Sequence, residues 1–333
     1  MYTADIGIYP GQQPQPTPRN IALDLGGAYS LPATGRVFIV RGDGTNITSY
    51  DDQYSAVTPD MTRRVFPSIV SSALYGQLVA GRGDTIVVLP GHTENIATAD
   101  AWANIVKAGV KIVGIGDGTS IPTFTFTAAA ATLVLSAANF SISGCRFLCA
   151  GAAAAGALTV AAPFTVSGDG VQITNCQFHV GWDADSIVGT FMTITGDRVN
   201  FSYNEIETTA AAAAITDLIV LTAADYLVMR KNRMKAAVTT AATGLVRSVT
   251  TASANILIED NILHNILASS TGVLNFNAAL ACTGVIRHNL LCIEDATSVA
   301  AFVANAANDL RLDQNFVQNE KNKTAIQIGT AVD

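Results

Sequence analysis

The sequence predicts an all-β protein, a right-handed single-stranded parallel β-helix of about 7–9 coils with an N-terminal arm and a cap helix. Two observations predict this class. An eight-residue pattern recurs seven times at nearly constant spacing, and no proline follows Pro163 in a chain of 333 residues. Because proline cannot donate a hydrogen bond to a neighbouring strand, a long proline-free stretch is typical of a chain built from paired strands.

The repeat has the form apolar-x-apolar-x-x-(Cys/Asn)-x-apolar, and it runs from Phe140–Phe147 to Leu310–Val317. Its alternation has a period of two, which indicates strands and not helices. A second short strand precedes most copies, so each period corresponds to one coil of at least two strands. The sixth position, here called the anchor, falls at Cys145, Cys176, Asn204, Asn232, Asn261, Asn289 and Asn315, with intervals of 31, 28, 28, 29, 28 and 26 residues.

The anchor follows a strand, at a bend where asparagine tolerates a left-handed backbone conformation. We expect the five anchor asparagines to stack as a ladder in which each amide hydrogen-bonds the next coil. Cys145 and Cys176 take the same position in two earlier coils and should be spatial neighbours. They fit either a disulfide or two stacked buried thiols. An odd total of five cysteines and the lack of a CxxC motif favour thiols.

The chain changes character along its length, and three segments are expected. Residues 1–60 form an extended proline-rich arm and attachment region, because seven of the ten prolines lie in the first 67 residues. Residues 61–116 form a capping segment of strand, helix and strand. Residues 117–333 form the parallel β-helix.

Two helices are predicted within the capping segment. Phe66–Tyr75 reads as a short apolar helix with Pro67 near its first turn. Thr98–Ala108 reads as the amphipathic cap helix, with Thr98 as N-cap and Gly109 as the stop. Val110–Ile115 then reads as the strand of an entry coil.

Composition excludes several classes of function. A net charge of -7 argues against a nucleic-acid partner, which would select a basic surface. The uncharged stretch from Phe147 to Gly168 is dominated by Ala and Gly and is interrupted by Pro163, so no membrane partner is expected. The four histidines show neither HxH nor HExxH spacing, and we expect no metal and no cofactor.

A family resemblance is carried by residues 83–96, GDTIVVLPGHTENI, and 108–126, AGVKIVGIGDGTSIPTFTF. These segments resemble the entry region of right-handed parallel β-helix proteins encoded by tailed bacteriophages, in which a strand ends in a PGH turn. The repeat region is similar to the wider pectate-lyase-like superfamily. The resemblance covers about residues 60–330. It implies either a polysaccharide-cleaving enzyme or a structural part of a virion, since the fold alone selects neither.

One loop carries residues suited to sugar chemistry. Trp182 offers a stacking surface for a glycan, and Asp183 with Asp185 offers an acid and a base. The alternative interpretation is a solvated loop with one anchored tryptophan. The other loops, residues 150–157, 208–216 and 236–244, are rich in alanine, which supplies neither an acid, a base nor a ligand. We therefore expect no catalytic residue and no enzymatic activity.

Alanine-rich loops suit close packing against other protein. The sequence thus predicts a structural virion protein of a tailed phage, assembled in the host cytoplasm. Its expected role is capsid decoration (cement), as a homotrimer bound to the major capsid protein or to other virion proteins. The alternatives are a tail spike or fibre subunit for host binding, and a polysaccharide-degrading β-helix enzyme.

Overall fold

The computed structural model describes residues 35–41, 65–149, 158–160, 162–180, 186–208, 215–236, 244–266, 272–276, 281–294, 300–304 and 307–319. Three parallel sheets, called A, B and C, run along the molecule. A typical coil places Phe164–Val166 in sheet C, Gln172–Thr174 in sheet A and Gln177–Val180 in sheet B. Each strand pairs in register with its equivalent one coil later. The predicted all-β parallel β-helix is confirmed.

The strands of each sheet have the following bounds. Sheet A contains Val37–Val40, Val65–Phe66, Thr85–Val88, Lys111–Gly114, Ser141–Ser143, Gln172–Thr174, Asn200–Ser202, Val228–Arg230, Ile256–Glu259, Thr283–Arg287 and Asp309–Asp313. Sheet B contains Thr93–Ile96, Thr123–Phe126, Arg146–Cys149, Gln177–Val180, Glu205–Glu207, Arg233–Ala236, Ile262–Asn265, Leu290–Ile293 and Phe316–Asn319. Sheet C contains Leu133–Leu135, Phe164–Val166, Thr190–Ile194, Asp217–Leu221, Val246–Ser248, Gly272–Phe276 and Ala300–Ala304.

Four elements of the described chain lie outside these sheets. Leu158–Val160 pairs with Ser186–Val188 as a separate parallel ladder. Ser72–Tyr75 is a single α-helical turn, and Gly118–Ser120 is a 3₁₀ turn.

The interior is one continuous apolar core, because in-register pairing places equivalent side chains of successive coils against each other. The rings of Phe147 and Phe178 stack with centroids 5.4 Å apart, and Phe124 stacks on Phe147 at 5.5 Å. Phe164 of sheet C meets Phe178 edge-on at 5.6 Å. Such contacts favour a regular coil beyond the free energy gained from burial alone.

The corner between sheets A and B is a tight turn, but its left-handed residue is not the anchor. The residue before each anchor has a positive φ, from 48° to 67°, at Gly144, Asn175, Tyr203, Lys231, Asp260, His288 and Gln314. The expectation that the anchor itself adopts this conformation is therefore wrong. The residue before it makes the turn, which leaves the anchor free to direct its side chain into the interior.

The predicted cap helix over Thr98–Ala108 is absent, and turns take its place. Asp100 has a φ of 44°, and its N–H donates to Thr132 Oγ1 at 2.8 Å. Ala101 N–H donates to the carbonyl oxygen of Thr132 at 3.1 Å. The next coil thus takes backbone donors that a helix would use internally. Trp102 is buried against Phe124, with ring centroids 5.1 Å apart.

Sheet A extends further toward the N-terminus than the repeat indicates. Val37–Val40 and Thr85–Val88 pair in parallel with each other, and Thr85–Val88 pairs with Lys111–Gly114. The predicted helix over Phe66–Tyr75 is limited to Ser72–Tyr75, since Val65–Phe66 is a strand. The predicted segment boundaries at 60 and 116 stay predictions.

Candidate functional site

The anchor asparagines form a buried ladder along the corner between sheets A and B. Asn204 N–H donates to Asn232 Oδ1 at 3.0 Å, and Asn232 N–H donates to Asn261 Oδ1 at 2.9 Å. Each side-chain amide also donates to a carbonyl of the preceding coil, as Asn232 Nδ2 does to the Phe201 oxygen at 2.8 Å. The same pattern continues through Asn289 to Asn315. These bonds satisfy groups that would otherwise be buried without partners.

Cys145 and Cys176 occupy the first two positions of this column as thiols and not as a disulfide. Cys176 N–H donates to Asn204 Oδ1 at 2.9 Å, so its backbone joins the ladder although its side chain cannot. Burial raises the pKa of Cys145 and raises the pKa of Cys176 to about 12. Both thiols are therefore neutral at physiological pH and serve packing, not nucleophilic chemistry.

An ion pair joins two neighbouring strands of sheet C. Arg247 Nη1 donates to Asp217 Oδ2 at 3.1 Å, joining two coils whose residues are 30 positions apart. The Asp217 side chain is only 4% exposed and that of Arg247 is 23% exposed. Burial raises the pKa of Asp217, and the charge of Arg247 opposes that rise. A carboxyl group with a raised pKa beside a guanidinium is an arrangement that active sites use, although structural pairs also show it.

The candidate glycan residues Trp182, Asp183 and Asp185 lie outside the described residues. The strand that precedes them ends at Val180 and carries His179 on its outer face. Burial lowers the pKa of His179, and the charge of Arg146 lowers it further. The imidazole is consequently neutral at physiological pH and is not an extra cation for an acidic sugar.

One outward column of sheet B changes from charged to apolar along the molecule. Glu205 accepts a hydrogen bond from Arg233 Nη1 at 2.9 Å in the next coil. In the three following coils the same outward column holds Ile262, Leu290 and Phe316, here called the apolar strip, which pair in register. Ile262 is 45% exposed and Phe316 is 65% exposed, while Leu290 is half-buried. The strip is an exposed apolar surface formed by neighbouring residues and not by scattered ones.

Two other kinds of site are absent from the described part of the chain. Within it, no group of three or more His, Cys, Asp or Glu residues is arranged to hold a metal ion. No helix there is long and apolar enough to cross a membrane. A cavity of 230 Å³, lined by Leu274, Phe302 and Leu312 among others, lies at the open interior of the last described coils.

The chain shows a distant likeness to a solved structure. No protein-family model matches the chain, and no curated protein sequence matches it. A crystal structure of alginate lyase from Paenibacillus sp. str. FPU-7 matches 74% of this chain and 96% of its own, with 13% identity and a TM-score of 0.23. At this level of likeness the lyase's activity does not transfer to this chain.

The comparison nevertheless corrects one expectation. The sequence predicts no enzymatic activity, whereas the similar solved structure described above is an enzyme. The exclusion of catalysis therefore does not stand. That expectation considered the acidic and basic residues of each loop separately. Asp217 and Arg247 come together only through coil stacking, and no local motif marks them.

Proposed function

We propose that this chain is a structural β-helix subunit that works by packing against other protein. Its specific form is a capsid decoration (cement) protein of a tailed phage, which assembles as a homotrimer and binds the shell. The apolar strip carries the proposal. Ile262 and Phe316 are exposed although each lies in a regular strand whose other face fills the core.

Solvent selects polar residues on the outer face of a β-helix that stands alone. The outer column of sheet B follows this rule from Arg146 through Gln177 and Glu205 to Arg233. Over the next three coils the same column holds apolar residues instead. Burial of apolar surface stabilises an interface by about 25 cal/mol per Å², so a partner that covers the strip gains free energy on binding. Contiguous exposed apolar residues of this kind mark protein interaction sites.

The test locates the protein on purified phage particles. A decoration protein is expected in hundreds of copies over the head by mass spectrometry and immunogold labelling, in multiples set by the shell symmetry. A small number of copies confined to the tail would replace decoration by the tail spike or fibre alternative. Complete absence from the particles would contradict a virion role altogether.

A second candidate, a polysaccharide-degrading enzyme, is favoured by the Asp217–Arg247 pair. A carboxyl group with a raised pKa can donate a proton, and a guanidinium can neutralise the carboxylate of an acidic sugar. The test incubates the chain with alginate and follows the ultraviolet absorbance of unsaturated products. Activity lost in Asp217→Asn and Arg247→Gln but kept in Arg311→Gln, a change at an exposed arginine of sheet A, would establish it. Equal absorbance with and without the chain would reject alginate cleavage.

A further inference from the structure

The apolar strip has sharp boundaries, which restrict what covers it. Arg233 and Lys235 face outward from sheet B one coil before Ile262. Glu205 and Glu207 face outward one coil before that. Arg233 is 64% exposed and Glu205 is 39% exposed, so these charges face solvent. The outward column of sheet B thus carries charge in two consecutive coils and none in the next three.

A symmetry axis imposes a rule on the residues that line it. Around such an axis each side chain meets its own equivalents from the other copies. A row of arginine or glutamate on the axis would bring like charges together, which is unfavourable, whereas isoleucine, leucine and phenylalanine rows meet themselves without that cost. A partner of different sequence could instead place opposite charges against Glu205 and Arg233. Three uncharged positions in this column, next to two charged ones, fit contact between identical chains.

We infer that copies of this chain meet one another along the apolar strip, with the symmetry axis crossing the last three strands of sheet B. The inference rests on the proposed packing function and names the surface and the partner. Contact ends where the charged rows begin, so the charged coils lie away from the axis. Phe316, as the most exposed member, contributes the largest apolar area to the contact.

Cys292 provides a native probe of this contact. It lies two residues beyond Leu290 on the same outward face of sheet B, and it is half-buried, whereas Cys145, Cys149, Cys176 and Cys282 are buried. Under the inference, Cys292 residues of two copies lie near the same axis. A short bismaleimide would join them. Each thiol adds across one maleimide double bond, which forms a C–S bond and transfers the thiol proton to the neighbouring carbon.

The experiment compares self-association of the full chain and its variants by analytical ultracentrifugation. Phe316→Lys places a charge on the axis and should weaken association by at least about tenfold. Tyr226→Lys is the matched control, since Tyr226 is a 56% exposed aromatic at a corner remote from the strip. Bismaleimide should cross-link the parent chain and Tyr226→Lys, but neither Phe316→Lys nor Cys292→Ser. Circular dichroism and the urea midpoint confirm that each variant is folded.

Three results would overturn the inference. The parent chain could sediment as a monomer at high concentration, or a folded Phe316→Lys variant could associate as strongly as the parent. Alternatively, the variant could lose binding to another virion protein while the parent alone stays monomeric, which would make that protein the occupant. An oligomer whose mass differs from that of three chains would contradict the proposed trimer. Absence of the chain from phage particles would contradict the proposed function. Neither of those two results would contradict contact along the strip.

Discussion

Asn232 Nδ2 donates a hydrogen bond to Asn261 Oδ1 at 2.9 Å, across one full coil of the β-helix. The same Asn232 accepts bonds at its own Oδ1 from the N–H and the Nδ2 of Asn204, at 3.0 Å and 3.2 Å. One side chain thus joins three successive coils at the corner between sheets A and B. Because these groups are shielded from water, the ladder specifies the register of the coils as well as stabilising them.

Replacing Asn232 by alanine should lower the free energy of unfolding by about 3 kcal/mol, because buried donors and acceptors of two neighbouring coils lose their partners. Urea denaturation measures the change. Asn315→Ala is the matched control. Asn315 is half-buried at the last described rung, where water can replace its bonds, so we expect a loss of about 1 kcal/mol. Equal losses at both positions would argue against the ladder as the cause.

Cys176→Asn should extend the ladder by one rung. The new amide lies where it can donate to Asn204 Oδ1 and to the Ile142 oxygen, from which Cys176 Sγ is 3.9 Å away. We expect a gain of about 1 kcal/mol in the free energy of unfolding. Cys149→Asn is the control, since that fully buried side chain lies outside the ladder, and it should lose about 2 kcal/mol. A loss at Cys176 as large as that at Cys149 would contradict the prediction.

Gly284 is the one residue that breaks the apolar first position of the repeat, and the structure supplies the reason. Its φ is 143°, and a Cβ there would lie 2.1 Å from the carbonyl oxygen of Ile256. Gly284→Ala should therefore destabilise the fold by about 3 kcal/mol or more, seen as a lower melting temperature. Gly118→Ala is the control, because a Cβ at that positive-φ position meets no atom within 4 Å. It should cost about 1 kcal/mol.

Two buried aspartates should give opposite dependences of stability on pH. Burial raises the pKa of Asp217 above 3.8, so the free energy that it contributes to folding is fully present below that pH and is lost as pH rises through the folded pKa. Asp217→Asn should remove this decline. The difference in unfolding free energy between Asp217→Asn and the parent chain, measured by urea denaturation at several pH values, should grow in favour of the variant as pH rises.

Asp84 provides the contrast. Burial alone would raise its pKa, but hydrogen bonds from Arg82, from Arg36 N–H and from Val79 N–H lower it below 3.8. Its contribution to stability is present above the unfolded pKa and is lost as pH falls through the folded pKa. Asp84→Asn should cost about 3 kcal/mol at neutral pH and less in acid. Parallel pH profiles for Asp84→Asn and Asp217→Asn would contradict this assignment.

Much of the fold could be predicted because a β-helix repeats its local requirements in every coil. The anchor spacing of the repeat predicts the coil length, and Phe147 and Phe178 fall at equivalent positions that stack in the structure. The repeat could not show that the segment Thr98–Ala108 lacks the expected cap helix. Its apolar spacing suits a helix, but Thr132 of the following coil takes the N–H groups of Asp100 and Ala101.

The sequence by itself determined the parallel β-helix and the column of anchors from Cys145 to Asn315, because both follow from a pattern that recurs once per coil. Only the tertiary structure decided which side chains outside this pattern meet between different coils. Asp217 pairs with Arg247, and Ile262, Leu290 and Phe316 align as an exposed apolar strip, because strand register joins positions far apart in sequence. Such contacts leave no local motif, since outward residues need only be compatible with solvent or with a partner.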